Sequence, residues 1–421
     1  VRNLLNLPDD GSQDDKVKAV LMSNPKFASL LQDLGVDPPL KTSKSTGSAT
    51  WAFSKTDKAF TDLLDSDDEN VATLVGARLG VKSTIEQTRT ERLLSVQSRG
   101  TLPVMLTYYA AHTGRFGGGD KMNLQNLPAG GQLRRAIEAP SGKVIVACDS
   151  SQIEARVLAT LAGQWDLVSR FANHADVYSE FASEVYHKRI TRADTLERFV
   201  GKTCILGLGY GMGGDRLRRT LELGSRGVSV DMPLDMAIST VNKYREKYHR
   251  ITSMWRRGAK ALAQMALGES GGIADCVSYD NEGFILPNGL KIRYPLLQIS
   301  KDGDNYAYIS DARQFREFVK RRTIQKPVDD LKWTYIYGGK AIENVVQALA
   351  RIVVSEQMTI IGQRYKVALQ VHDEIVIVCD EAEVDEAKAF MVKVMSTPPA
   401  WMPRLPVSCE AKSGKNYAEC K

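Results

Sequence analysis

The sequence predicts an α+β chain on three observations. Residues 1 to about 105 place apolar side chains at helical spacing. Lys143–Arg156, KVIVACDSSQIEAR, reads as a short apolar strand running into a helix. Gln370–Cys379, QVHDEIVIVC, reads as two apolar strands joined at a polar tip. From about residue 281 to the end, strands with helices on one side point to an α+β sheet.

At 421 residues the chain is long enough for two or three domains, and 43% hydrophobic with 25% charged residues is an ordinary soluble globular balance. A net charge of +6 permits nucleic-acid binding without requiring it. Six scattered cysteines with no C-x-x-C pair point to reduced, mostly buried thiols and no zinc site. No stretch reads as a membrane span and no signal peptide is apparent. The first residue is Val1 and not Met, as in a fragment or a processed product.

In chain order, Lys16–Leu34 repeats apolar residues at helical spacing, breaks near Pro25 and stops at Gly35. Lys41–Thr50 is a polar loop, either a solvated linker or a phosphate contact through its lysines. Helices fit Lys55–Leu64, Val71–Leu79 and Ser83–Gln97. This region has no acid pair and no glycine cradle, so it is expected to hold a ligand and not to react with it.

Tyr108–Pro128 changes character, with three consecutive glycines at 117–119. Arg115, Asn123, Gln125 and Asn126 put a guanidinium and several amides in one short region. Such groups suit minor-groove acceptors, which all base pairs present in similar positions. A plain polar loop is the other reading.

Val144–Cys148 then delivers Asp149 to the end of a strand, with Ser150 or Ser151 expected to cap the helix that follows. Glu154 lies five residues on, about one and a half turns along that helix. A strand-end carboxylate is well placed to hold a metal, because the sheet fixes it while solvent still reaches it. Its expected partner is the distant tip His372-Asp373-Glu374, which carries acids where a hairpin usually has Gly or Asn.

A second helix is expected at Asp176–Tyr186 and a third at Thr195–Leu223. In the third, Arg198, Lys202, Leu206 and Tyr210 recur every fourth residue, so they share one slowly drifting face over roughly 18 Å. That face suits a triphosphate at one end and a base at the other, or an ordinary basic edge. Gly207, Gly209 and Gly211 signal a bend or a close approach. Pro233–Leu267 reads as helical, with Tyr244, Tyr248 and Trp255 in a core. Gly283–Pro295 reads as a hairpin turning at Asn288-Gly289, and Tyr306–Ile309 as a strand. Lys320-Arg321-Arg322 is a charge run, a solvated face or a phosphate contact. Ala341–Gly362 is a long amphipathic helix carrying Glu343, Asn344, Gln347 and Arg351. Glu383–Met395 is a covering helix and Leu405–Glu410 a final edge strand.

Three patterns stand in one order: D-x-S-Q-I-E-x-R at 149–156, R-x-x-x-K-x-x-x-L-x-x-x-Y-G at 198–211, and V-H-D-E at 371–374. Together they resemble the polymerase region of family A DNA polymerases, the DNA polymerase I family. YYAAHTGRFGGGDKMNLQNLP and IENVVQALAR resemble bacteriophage members in particular.

The resemblance implies a right-hand architecture with an antiparallel-sheet palm, helical fingers and a helical thumb. The thumb would be residues 1–107, the palm 108–161 and 281–421, and the fingers 162–280. It implies DNA-templated addition of dNTPs to a primer 3′-hydroxyl, in phage replication or repair. Two Mg²⁺ ions would be held by Asp149, Asp373 and the Ser150 carbonyl, with Glu374 an auxiliary acid. Arg198 and Lys202 would bind the triphosphate, Lys202 also giving a proton to pyrophosphate. Tyr210, Leu206, Gln152 and Glu154 would line the nucleotide pocket. Glu154 would hydrogen-bond Tyr210 and exclude a ribose 2′-hydroxyl. Arg115, Asn123, Gln125, Asn126 and Gln347 would contact the duplex, and His372 the primer end. The expected setting is a monomer in the host cytoplasm, bound to primer–template DNA and no membrane.

There are departures from the family pattern. Leu206 stands where Phe or Tyr is usual, which leaves dideoxynucleotide handling open. Gly339 and Glu343 stand where bacterial enzymes have Arg and Asn, so either Lys340 and Asn344 take over or those contacts differ. Residues 296–335 form a longer segment than in bacterial relatives. No acids for a 3′–5′ exonuclease are seen, so none is expected in this chain. The alternatives are a single-subunit RNA polymerase, which Glu154 disfavours, and an inactive primer–template binder.

Overall fold

A four-stranded antiparallel sheet carries the acids singled out above. Its order is Val367–Val371, Glu374–Asp380, Lys143–Ser150, Cys409–Gly414. The computed structural model describes residues 2–420 except 3, 4, 6, 9–12, 43–47, 56, 67, 83, 84, 121, 129, 130, 226, 227, 301–304 and 324–331. The chain divides into two units, Val1–Thr101 and Leu102–Lys421.

In the first unit, the helical run broken at Pro25 becomes two helices, Asp14–Met22 and Asn24–Asp33, because proline is accepted only in a helix's first turn. Further helices are Lys58–Thr61, Glu69–Lys82 and Ile85–Gln97. The loop expected at Lys41–Thr50 is flanked by paired strands instead, Leu40–Thr42 against Ala49–Trp51; its centre, 43–47, lies outside the described residues. Lys41 is engaged by Asp57 at 2.8 Å, which competes with any phosphate. Phe27, Phe53 and Phe60 form the core, and the fully buried Arg78 guanidinium lies 4.6 Å from the Phe27 ring centre.

In the second unit, one face of the sheet offers Val146, Cys148, Ile375 and Ile377. The helices Gly338–Gly362 and Val384–Met395 cover it with Val354, Ile361, Met391 and Met395. Over the strand Lys143–Ser150 lies the C-terminal turn Tyr417–Cys420, where the Cys420 thiol points to the Ile145 carbonyl at 3.6 Å. The edge strand begins at Cys409 and not at Leu405, since Pro406 has no N–H for a ladder. All six cysteines are free thiols, four of them buried.

The 25-residue helix Gly338–Gly362 corrects the expectation that no stretch is apolar enough to span a membrane. It passes by length and composition, with mean hydropathy 1.3, yet 61% of its apolar window is buried inside this unit, as in a core helix. It starts at Gly338, three residues before the expected Ala341, because Gly338 and Gly339 lie against other backbone. A Cβ on Gly338 would meet the Trp255 carbonyl at 2.1 Å.

Pro233–Leu267 divides into Leu234–Lys247 and His249–Ala266, with Tyr244 and Tyr248 buried as expected. The Asn288-Gly289 hairpin forms between Gly283–Ile285 and Lys291–Arg293, with Gly289 at φ 77°. Tyr306–Tyr308 pairs on both sides, with Gln298–Ile299 and with Thr334–Ile336. Ala312–Thr323 is a helix.

The helix expected over Thr195–Leu223 is two, Thr195–Gly207 and Gly214–Leu223, separated by a 3-10 turn at Leu208–Tyr210 and by Gly211 at φ 87°. Gly201 is where this helix meets Val177–Tyr186: a Cβ there would sit 2.0 Å from the Tyr178 carbonyl oxygen. Neither backbone can yield locally, so Gly201→Ala is expected to cost at least about 2 kcal/mol. A urea midpoint equal to the parent's would contradict this contact.

Candidate active site

Asp149 pairs in register with Glu374 on one side and Glu410 on the other. Val371 and Glu374 are directly opposed, so the hairpin turn is only His372-Asp373. His372 is left-handed at φ 55°, a position that favours glycine. Two contacts hold it: the Gln370 amide donates to the His372 carbonyl, and the Ser150 N–H donates to the Asp373 carbonyl at 3.0 Å. The second bond joins the two acidic segments directly.

Asp149 is exposed and Asp373 half-buried. Burial, and then the Asp149 charge, push the Asp373 carboxyl up to about 6. His372 is lowered by burial and by the nearby Arg115 charge. A cavity of about 620 Å³ collects Asp149, His372, Asp373 and Glu374 with Gln125, Asn126 and Arg134. Glu374 is 1% exposed and its Oε2 accepts from the Tyr417 hydroxyl at 2.9 Å, so its carboxylate is tied into the interior.

Among the described residues no group of three or more His, Cys, Asp or Glu is arranged to hold a metal. Two adjacent carboxylates form an incomplete donor set by themselves. That set fits a hard cation such as Mg²⁺, which keeps waters and takes substrate phosphate oxygens beside one or two carboxylates.

Several side chains are engaged differently from expectation. The helix after Asp149 starts at Ile153, and its N-cap is Gln152 in the left-handed region at φ 49°, not Ser150 or Ser151. The strand continues through Ser150, because its N–H is taken by Asp373; Ser151 is likewise bonded to the Ser408 carbonyl. Glu154 therefore lies in the helix's first turn, where the dipole favours a carboxylate. Gln152 accepts from Arg156 at 3.1 Å.

The Glu154 carboxylate is bound by Arg115. Its charge also reaches Tyr210, which burial first and Glu154 second hold well above the ordinary phenol range. Arg115 is thus the counter-cation of the acid cluster. Arg198 forms a two-bond pair with Asp176, at 2.8 and 3.2 Å. Burial would raise Asp176, but the hydrogen bonds from Arg198 and Ser179 outweigh it and keep that acid low.

Lys202 and Leu206 are exposed on one helix face. Tyr210 leaves that row, because the tighter 3-10 turn rotates it inward. Asn123 caps the turn Leu124–Asn126 by accepting from Gln125 N–H at 2.9 Å. Gln125 is buried and donates to the Gln370 carbonyl at 3.1 Å. Gln347 accepts from Thr113 at 3.4 Å.

Asn344 and Lys340 are both engaged within the chain. Asn344 is buried and donates to the Tyr294 hydroxyl at 3.1 Å, while Lys340 pairs with Glu343 at 2.8 Å. Sequence reasoning missed Asp176, Arg134 and Tyr417. Arg134 is buried with its guanidinium 4.4 Å from the Tyr417 ring centre. The one available signal was a tyrosine in the polar tail GKNYAEC.

The chain is similar to known polymerases in sequence and in fold. DNA polymerase I of Caldicellulosiruptor bescii is 27% identical over 313 residues, covering 73% of this chain and 31% of that protein. The thermostable DNA polymerase I of Thermus thermophilus is 26% identical over 326 residues, covering 76% of this chain and 33% of the relative. The chain thus spans about a third of the length of these relatives. The structure of the POL domain of Pol1 from M. smegmatis, in complex with DNA primer-template and dNTP, aligns with TM-score 0.64 and 18% identity. It covers 100% of this chain and 63% of that one, and it shares the mixed helix-and-sheet polymerase fold. Residues 15–268 match the model of DNA polymerase family A, and the chain belongs to that family.

Proposed function

We propose that this chain is a DNA-templated DNA polymerase that adds dNTPs to a primer 3′-hydroxyl. The observation that carries the reading is the junction of Asp149 and Asp373, far apart in sequence and joined through Ser150 N–H at 3.0 Å beside one open cavity. Phosphoryl transfer asks mainly for positioning and charge stabilisation, which carboxylates fixed on a strand and on the adjoining hairpin turn provide.

Two Mg²⁺ ions held by Asp149, Asp373 and the Ser150 carbonyl would supply a more acidic 3′-hydroxyl and neutralisation of the triphosphate. Ladder pairing holds Asp149, and the Ser150 N–H bond to its carbonyl holds Asp373, before any substrate arrives. Lys202 presents an ammonium on the exposed helix face, where it would protonate the departing pyrophosphate as the α-phosphorus bond to the 3′-oxygen forms. Arg198 would exchange Asp176 for triphosphate oxygens, which its planar fork matches equally well. Glu154, fixed by Arg115 beside Tyr210, would fill the space of a ribose 2′-hydroxyl. A bacteriophage origin rests on the resemblance of 108–128 and 342–351 to phage members, and a monomer in the host cytoplasm is the accompanying expectation.

Primer extension with dNTPs and rNTPs in parallel tests the reading. The parent is expected to use dNTPs only. Glu154→Ala is expected to lower that preference on the order of 10–200-fold. Equal use of rNTPs by the parent would favour an RNA polymerase, and binding without extension an inactive binder.

A further inference from the structure

Two of the six thiols meet beside Asp149. Cys148 lies on the strand Lys143–Ser150, and Cys409 opens the neighbouring edge strand Cys409–Gly414. In the antiparallel register Cys409 faces Ser150 and Ala411 faces Cys148. Residues two apart on a strand share a face, so Cys148 and Cys409 are diagonal neighbours on one face. That face is the one covered by the helix Val384–Met395, and both side chains pack into the core between them. The two thiols share a hydrogen bond.

The pair is asymmetric. Cys148 is fully buried, whereas Cys409 is half-buried at the sheet's edge. The Cys409 sulfur lies 3.4 Å from the hydroxyl of the exposed Ser396 and 3.6 Å from the Val392 carbonyl. A small oxidant therefore reaches Cys409 from solvent and does not reach Cys148 directly.

We infer that Cys409 and Cys148 are an oxidation site: peroxide joins them as a disulfide, and the bridge stops nucleotide addition. The second half rests on the polymerase reading. The Cys409 sulfur attacks one peroxide oxygen, the O–O bond breaks, and the leaving hydroxide carries off the thiol proton as water. The sulfenic acid so formed is attacked at sulfur by Cys148. The S–S bond forms, the S–O bond breaks, and hydroxide leaves with the Cys148 proton as a second water. The thiols have lost a pair of electrons and the peroxide has gained it.

The anchoring points aim the bridge at the acid. Cys148 directly precedes Asp149, and Cys409 directly precedes Glu410, which stands opposite Asp149. Diagonal neighbours typically start about 7–8 Å apart between Cα atoms, whereas a disulfide holds its own at roughly 4.4–6.8 Å. Closure must draw the strands together at this one point. The edge strand is paired on one side only, so the register around Asp149 and Ser150 takes the distortion. Ser150 N–H carries the bond to the Asp373 carbonyl, so the shift extends to both acids.

The test uses the full chain and hydrogen peroxide, with two measurements on each sample. Primer extension is followed before peroxide, after it, and after dithiothreitol. The same samples are then unfolded, their free thiols alkylated, and their linked peptides mapped by mass spectrometry. Peroxide is expected to link Cys148 to Cys409 and to slow extension about 10²-fold, the scale of a 1 Å misplacement at a reacting centre. Dithiothreitol is expected to reverse both. Cys409→Ser is expected to extend primers at the parent's rate and to keep that rate through peroxide. Cys409 oxidised without a link to Cys148, or a serine variant as peroxide-sensitive as the parent, overturns the site. A link that leaves the parent's extension unchanged overturns the control of nucleotide addition. A parent that never extends, even when reduced, sinks the polymerase reading, and the peptide map still decides the thiol pair.

Discussion

Asp373→Asn is expected to cut primer extension on the order of 10³-fold or more, the scale of losing one charge-stabilising group in phosphoryl transfer. It is also expected to make the metal-free protein more stable. The two effects have one cause. Burial and the Asp149 charge raise this carboxyl from its ordinary 3.8 to about 6. Between those values the folded chain holds a proton that the unfolded chain has lost. The folded state is therefore favoured at low pH, and that advantage disappears as pH rises through 6. At neutral pH the ionised acid costs the metal-free fold about 3 kcal/mol, at 1.36 kcal/mol per pH unit. Asparagine removes the charge and with it the cost. Thermal melts in chelator at pH 7.5 and pH 4 measure this. The variant should melt higher at pH 7.5, and the gap should close toward pH 4. Equal melting at both pH values would mean that burial and the Asp149 charge do not raise the Asp373 carboxyl.

Lys202→Ala is expected to slow nucleotide addition about 10²–10⁴-fold, the usual effect of removing a positioned proton donor. Lys202→Arg separates the two roles given to this side chain. A guanidinium keeps the positive charge but does not release a proton near neutral pH, so KM for dNTP should stay near the parent value while kcat falls. The helix geometry makes the comparison clean. Gly201 locks this helix against the Tyr178 backbone, which leaves Lys202 on the exposed face whichever cation is present. Steady-state kinetics on one primer–template decide it. An arginine variant as fast as the parent would remove the proton-donor role and leave a point charge.

Much of the site was legible locally. A strand ending in an acid, a two-strand hairpin with acids at its tip and a helix with Arg198 and Lys202 a turn apart are patterns of period two or near four. Period is set by the backbone within each element. The glycines at 207–211 were also read as a bend or close approach, and Gly211 at φ 87° supplies the bend.

What the sequence could not show is who pairs with whom across elements. The Arg115–Glu154 and Arg198–Asp176 pairs, the Asn344–Tyr294 bond and the Tyr417–Glu374 bond join segments far apart in the chain or on different elements. Nor did the four-residue row predict that Tyr210 turns inward, because a 3-10 turn adds about 20° per residue over an α-helix. By itself, then, the sequence determined the elements, the two metal-binding candidates and the family they resemble. Only the tertiary structure decided how each charged or amide side chain is satisfied. A buried or half-buried polar group takes whichever partner the packed chain brings within reach, and that depends on the relative placement of elements, which no local spacing encodes.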